Sequence, residues 1–204
     1  MPSRNTIRFD AENSYYHVYA RGASKQPIFL DQADYTYFLN LFARYLSNEP
    51  AKSKEGFVYP HFRGSIELLA YCLMQNHFHL LVFQVEQRAL SKLMKSVMSS
   101  YSRYFNLRYT RSGSLFENRF KASLVTNEPY LLHISRYIHL NPKNWRLYPH
   151  SSICAYRGKV AYEWLQHDRI LAQFADAQSY VVFVADYEDY RDSLNAIKYE
   201  LADT

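Results

Sequence analysis

Ile66-Glu67-Leu68-Leu69-Ala70-Tyr71-Cys72-Leu73-Met74-Gln75-Asn76-His77-Phe78-His79-Leu80-Leu81-Val82-Phe83 is an almost unbroken apolar run, and where it divides decides the fold. It is too long for one ordinary strand of about 5–6 residues. The polar pair Gln75-Asn76 predicts a tight turn, hence a hairpin with His77 and His79 on its second arm. Successive strand side chains alternate between faces, so the two histidines share a face while Phe78, Leu80 and Val82 pack on the other. Both imidazoles can then meet one metal ion, and they are expected at an edge of the sheet, open to the surface. A His-x-His pair by itself more often marks incidental core histidines, so its surroundings have to decide.

Outward from the hairpin, Tyr15 to Gly22 is rich in aromatic and β-branched residues and reads as a strand. Residues 31–47 read as a helix with Asp31 as N-cap and Tyr35, Phe38, Leu39, Phe42 and Leu46 at helical spacing. Residues 89–106 form the clearest helix, with Leu90, Leu93, Met94, Val97, Met98, Tyr101 and Phe105 on one stripe. After the break at Ser112-Gly113-Ser114, Leu115 to Val125 reads as a strand with Arg119 and Lys121 on one face. Asn127 or Glu128 caps a helix from Tyr130 to Leu140, with Pro129 in its first turn. That helix should stop at Asn141, because Pro142 disfavours helical geometry in the residue before it.

This order of elements predicts an α+β fold, a ferredoxin-like antiparallel sheet with helices on one or both faces. Residues 1–150 read as one domain and residues 151–204 as a mainly helical, acidic extension packed on it. Within the extension Glu163 to Phe174 looks helical, Tyr180 to Val184 reads as a short strand or the buried start of a helix, and Tyr187 to Leu201 as an acidic closing helix.

Charge is distributed unevenly. The chain of 204 residues carries a net +5, but Arg88, Lys92, Lys95, Arg103, Arg108, Arg111, Arg119 and Lys121 fall in one stretch with a single acid, Glu117. The tail beyond residue 160 is acidic. The middle therefore suits a polyanion and the tail does not. Tyrosine occurs 20 times, which suits stacking on bases as well as lining core edges. Cys72 and Cys154 make no disulfide framework. No run is long and apolar enough for a membrane span, so a cytoplasmic protein without a membrane partner is expected.

Two helical positions carry chemistry. His133, Tyr137 and Asn141 lie four apart along one edge, beside the core stripe of Leu131, Ile134 and Ile138. A phenol with an amide one turn on can face a metal held by two imidazoles, and tyrosine can attack phosphorus covalently. The same pair also fits an ordinary half-buried tyrosine and an asparagine that ends a helix. Tyr101 and Tyr104 are rival nucleophiles in principle, though Tyr101 falls on a core stripe.

Together these segments resemble the single-tyrosine HUH transposases, most closely the REP-associated tyrosine transposases. The likeness is carried by Tyr16-His17-Val18 through Arg21-Gly22 with Ile28-Phe29 and Asp34, and by Met74 to Val82, where Gln75 stands in place of the family's usual Pro. It continues in Tyr104-Phe105-Asn106, Gly113-Ser114-Leu115-Phe116 and Arg119-Phe120-Lys121, with Phe116 where Trp is common. It ends in Tyr137-Ile138-His139-Leu140-Asn141-Pro142 with Ser151-Ser152 and Tyr156.

The resemblance implies the HUH endonuclease fold, His77, His79 and Asn141 as metal ligands, and Tyr137 as the nucleophile. It implies a metal-dependent transposase that cuts hairpin-bearing single-stranded DNA through a 5′-phosphotyrosine. Two imidazoles and an amide oxygen favour Mg²⁺ or Mn²⁺ over zinc. No small-molecule cofactor is expected, and either a monomer or a homodimer is compatible. Arg21, Lys92, Lys95, Arg103, Arg119 and Lys121 are the candidate DNA contacts. Two alternatives use the same features: a domesticated protein that binds structured nucleic acid without cutting, and a replication or relaxase-type nickase. His17, His61, His133 and His139 are left without a role.

Overall fold

Gln75-Asn76 reverses the chain between β2 (Ile66–Met74) and β3 (His77–Gln84), where the polar break in the apolar run lies. The computed structural model describes residues 10–188. β1 (Ser14–Arg21), α1 (Gln32–Leu46), the β2–β3 hairpin, α2 (Ala89–Arg108) and β4 (Lys121–Val125) build an antiparallel sheet in the order β2-β3-β1-β4. This is the expected ferredoxin-like arrangement, with helices on both faces.

Alternation along the strands sorts the side chains into two cores. Tyr16, Val18, Ala20, Phe78, Leu80 and Val82 face α1 and α2. Leu69, Cys72, Leu81 and Phe83 face the other way, against Leu131, Ile134, Tyr137 and Ile138 of α3 (Glu128–Leu140). A register shift between Leu68 and Ala70 places Leu69 and Ala70 consecutively on the α3 side, as a bulge does. Each fully buried side chain of this size contributes about 1.5–3 kcal/mol relative to exposure, so a one-residue slip that inverted the faces would be prohibitive.

Capping follows the expected chemistry. Asp31 accepts from the amides of Ala33 and Asp34 at the start of α1. Asn127 accepts from Tyr130 at the start of α3, with Pro129 in the first turn. α3 stops at Asn141 as expected, but Asn141 itself keeps helical geometry (φ −55°, ψ −45°) although Pro142 follows. The proline disfavours that conformation without forbidding it. As a result Asn141 stays one turn on from Tyr137.

The hairpin turn is fastened to the end of β1. The Gln75 carbonyl accepts from the amides of Ile28 and Phe29, and the Asn76 carbonyl accepts from Gly22. A Cβ on Gly22 would lie 2.1 Å from the Gln26 carbonyl oxygen, so only glycine permits this approach.

Two elements differ from the sequence reading. β4 begins at Lys121, whereas Leu115 to Phe120 is a loop that meets the end of β1 through the Gly22–Phe116 bridge and the bond from the Glu117 amide to the Arg21 carbonyl. After a short α4 (Ile153–Tyr156), only α5 (Asp168–Leu171) is helical between Glu163 and Phe174, because Leu165 instead forms a parallel bridge with Leu68 at the sheet edge. Of the two readings of Tyr180 to Val184, the helical one holds: the segment lies in α6 (Ala177–Ala185), with Tyr180 and Val184 buried. The expected closing helix from Tyr187 to Leu201 falls almost wholly outside the described residues.

Beyond residue 150 the chain shares the cores of the sheet. Ala155, Trp164 and Leu165 join the α1/α2 side, and Ile153, Tyr156, Ile170, Tyr180 and Val184 join the α3 side. No described helix is long and apolar enough to cross a membrane.

Candidate active site

The ends of β1 and β3 that meet the hairpin turn, the loop before β4 and the C-terminal part of α3 enclose a cleft of about 320 Å³. His77, His79, Tyr137, Arg21, Arg119 and Lys121 all line it. Register explains the grouping: Arg21 pairs with His77, and Tyr19 pairs with both His79 and Lys121. α3 then lays Tyr137 across this patch, its ring centre 5.4 Å from that of His79 and nearly perpendicular to it.

His77 is half-buried, but His79 is only 6% exposed. The expectation that both imidazoles lie open at a sheet edge is thus corrected: β3 is an interior strand, so α3 covers all but its beginning. The cleft reaches them from the end of the sheet.

Hydrogen bonds fix the orientation of His77. Asn76 Nδ2 donates to the Lys25 carbonyl at 3.1 Å, which sets the amide so that Oδ1 faces His77. Nδ1 of His77 therefore donates to Asn76 Oδ1 at 2.7 Å, and its lone pair resides on Nε2. Nδ1 of His79 is likewise engaged, 2.9 Å from Nε2 of His17. Such outer partners are what metal-binding imidazoles ordinarily have.

Asn141 lies behind Tyr137, off the cleft wall. Both atoms of its amide are buried without a hydrogen bond of ordinary geometry. A buried amide in that condition costs about 1–3 kcal/mol unless a ligand satisfies it. Among the described residues no three His, Cys, Asp or Glu side chains cluster to hold a metal. Any ion at the two imidazoles would thus need an amide oxygen, water or DNA to complete its shell.

Tyr137 is 2% exposed, and burial raises its phenol above the ordinary value while the nearby Asn141 amide opposes the rise. The group is neutral until something in the cleft favours the phenolate. Cations surround the mouth: Lys25 adds to Arg21, Arg119 and Lys121, against the single acid Glu117. Lys25, Asn76, Glu117 and Asn118 are lining residues that the sequence reading did not single out. Asn76 was legible only as a turn residue, and the other three owe their place to loop packing.

The remaining candidates separate. Lys95 lines a second groove, between α2 and residues 113–120, that shares Asn118 and Arg119 with the cleft. Arg103 opens on a different groove with Tyr37, Arg44 and Tyr59, and Lys92 is exposed on α2 outside all of these. Tyr101 is fully buried and donates to the Ile28 carbonyl, and Tyr104 bonds to Asp34, so both rival tyrosines lie on the far side of the sheet. His133 is half-buried beside Arg136. His139 is fully buried between Tyr180 and Ser152.

A family model described as "Transposase IS200 like" matches residues 11–141, from just before β1 to Asn141. Among solved structures, one described as the REP associates tyrosine transposase bound to a REP hairpin superimposes with a TM-score of 0.54 at 14% identity. The match covers 80% of this chain and 92% of that one. At this identity the likeness is one of fold. Among curated proteins no relative matches.

Proposed function

This chain belongs to the IS200-like transposase family, and from that premise we propose that it cleaves and rejoins single-stranded DNA at hairpin-associated sites, with Tyr137 as nucleophile. The observation that carries the reading is that Tyr137, His77 and His79 line one and the same cationic cleft. The solved relative of the same fold is bound to a REP hairpin, which supports a structured DNA strand as the partner.

In the proposed reaction the Tyr137 oxygen attacks phosphorus and the bond to the 3′-oxygen breaks. The 5′-phosphate is left on the tyrosine, and the phenolic proton ends, net, on the released 3′-hydroxyl. A later 3′-hydroxyl reverses the step and joins a new strand. Arg21, Arg119 and Lys121 hold the phosphates around the scissile bond. Lys95 extends the path along the adjoining groove, where the partly exposed Phe120 offers apolar surface to bases. Lys92 lies on the exposed surface of α2 outside these grooves and Arg103 opens on the separate groove with Tyr37, Arg44 and Tyr59, so neither is placed on this path.

His77, His79 and Asn141 would hold a divalent cation, Mg²⁺ or Mn²⁺, which when bound polarises the scissile phosphate and offsets its developing charge. The reading includes a cytoplasmic location, where single-stranded DNA is accessible. It is tested with end-labelled single strands carrying a hairpin, incubated with Mg²⁺ or EDTA. Cleavage should require Mg²⁺ and disappear in His77→Ala and His79→Ala, with the fold retained. Tight binding without cleavage by the unaltered chain would instead favour a domesticated binder.

A further inference from the structure

Behind His79 stands a second imidazole that the proposed chemistry does not use. His17, on β1, is fully buried, and its Nε2 lies 2.9 Å from Nδ1 of His79. The two rings are nearly parallel, 19° apart with centres at 5.0 Å. His17 also packs against Tyr19 at 5.4 Å and meets the Tyr137 ring edge-on at 5.7 Å. It is thus the common neighbour of the candidate ligand and the candidate nucleophile, and its own Nδ1 has no hydrogen-bond partner.

A single proton can lie on the line between the two imidazoles. If His17 supplies it, His79 carries its hydrogen on Nε2 and cannot offer a lone pair there. If His79 supplies it, the lone pair of His79 resides on Nε2, the nitrogen remote from His17. We infer that His17 is a positioning residue: a buried neutral acceptor that fixes the tautomer and ring angle of His79 for a divalent cation and braces the Tyr137 ring beside it. A carboxylate often has this role behind metal-binding histidines. An imidazole supplies the acceptor in a fully buried position without a buried negative charge. This inference rests on His79 being a ligand, as proposed above.

The test measures Mn²⁺ binding by calorimetry, without DNA, for the unaltered protein, His17→Phe, His17→Gln and His79→Ala, with the unfolding temperature of each apo protein alongside. His17→Phe keeps a ring and removes the acceptor, so Mn²⁺ binding should weaken about 10–100-fold. His17→Gln restores an acceptor and should recover most of that loss. Unweakened binding in His17→Phe overturns the inference. So does an equal loss in both His17 variants that follows their unfolding temperatures, since that marks a purely structural residue. Unchanged binding in His79→Ala overturns the ligand assignment itself and the inference with it. Nitrogen-15 NMR of the unaltered protein decides the matter even if the variants fail to fold. His79 should carry its proton on Nδ1, and a proton on Nε2 would refute the positioning role.

Discussion

Mild acid should destabilise this fold, and His139 makes the effect calculable. Its ring is fully buried, with Nδ1 2.7 Å from the Tyr180 hydroxyl and Nε2 2.8 Å from Ser152 Oγ. It thereby ties α3 to α6 and, through the Tyr71 amide bonded to Ser152 Oγ, to β2. Burial, reinforced by His167, lowers its pKa to about 3. The unfolded chain takes up that proton near pH 6.5 while the folded chain refuses it down to about pH 3. The contribution of His139 is therefore complete above pH 6.5 and is lost progressively as pH falls. At pH 5 the loss is ~2 kcal/mol, a substantial part of a typical 5–15 kcal/mol. Urea unfolding at pH 7 and pH 5, followed by the fluorescence of buried Trp145 and Trp164, measures it. His139→Gln cannot titrate. It should be less stable at pH 7 by about 1–3 kcal/mol, yet lose ~2 kcal/mol less than the unaltered protein between the two pH values. Equal losses in the two proteins would refute the assignment of the acid sensitivity to His139.

Other predictions follow from particular contacts. Gly22→Ala forces a Cβ to within 2.1 Å of the Gln26 carbonyl; it should cost about 1–3 kcal/mol in urea unfolding and impair cleavage, because Arg21 and the hairpin turn shift with it. Asp34 is fully buried and accepts from Leu30, Tyr104, Arg108 and Tyr109. Asp34→Ala should therefore destabilise by about 3–5 kcal/mol while leaving residual cleavage metal-dependent. Neutralising Arg119 and Lys121 together should weaken single-strand binding for all sequences and flatten its log–log salt dependence by ~0.7 per lost phosphate contact, as read by fluorescence anisotropy.

The parts of the fold legible in the sequence are those decided locally. Gln75-Asn76 divides an apolar run in two, Asp31 and Asn127 begin helices, and alternation after His77 assigns the faces of β3. The ferredoxin-like order follows from these signals. Long-range pairing decides the rest. Nothing near Leu165 announces its bridge to Leu68, which replaces the helix that residues 163–174 otherwise favour. The Leu115–Phe120 segment has strand composition, but it meets the sheet only at the end of β1, through Phe116 to Gly22 and Glu117 to Arg21.

The site shows the same division. His77 and His79 are visible as a pair, and Tyr137 and Asn141 as a helical row. That the two sets meet depends on how α3 crosses the sheet. His17 is the clearest residue hidden from sequence reasoning. Its partner His79 is distant in the chain, and the contact arises from the antiparallel register in which Tyr19 faces His79. The burial of His79 was missed for a related reason, since the interior place of β3 depends on β1 pairing along its other side.

The measurement that bears most directly on the central proposal is the site of covalent attachment. The protein is incubated with hairpin-bearing single-stranded DNA and Mg²⁺ or Mn²⁺, denatured and digested, and the peptide carrying a 5′-phosphorylated nucleotide is sequenced by mass spectrometry. The adduct should map to Tyr137. Tyr137→Phe, which keeps the buried ring and should hardly change stability, should bind the same DNA and form none. An adduct on Tyr101, Tyr104 or any other residue, or one that persists in Tyr137→Phe, would contradict the account.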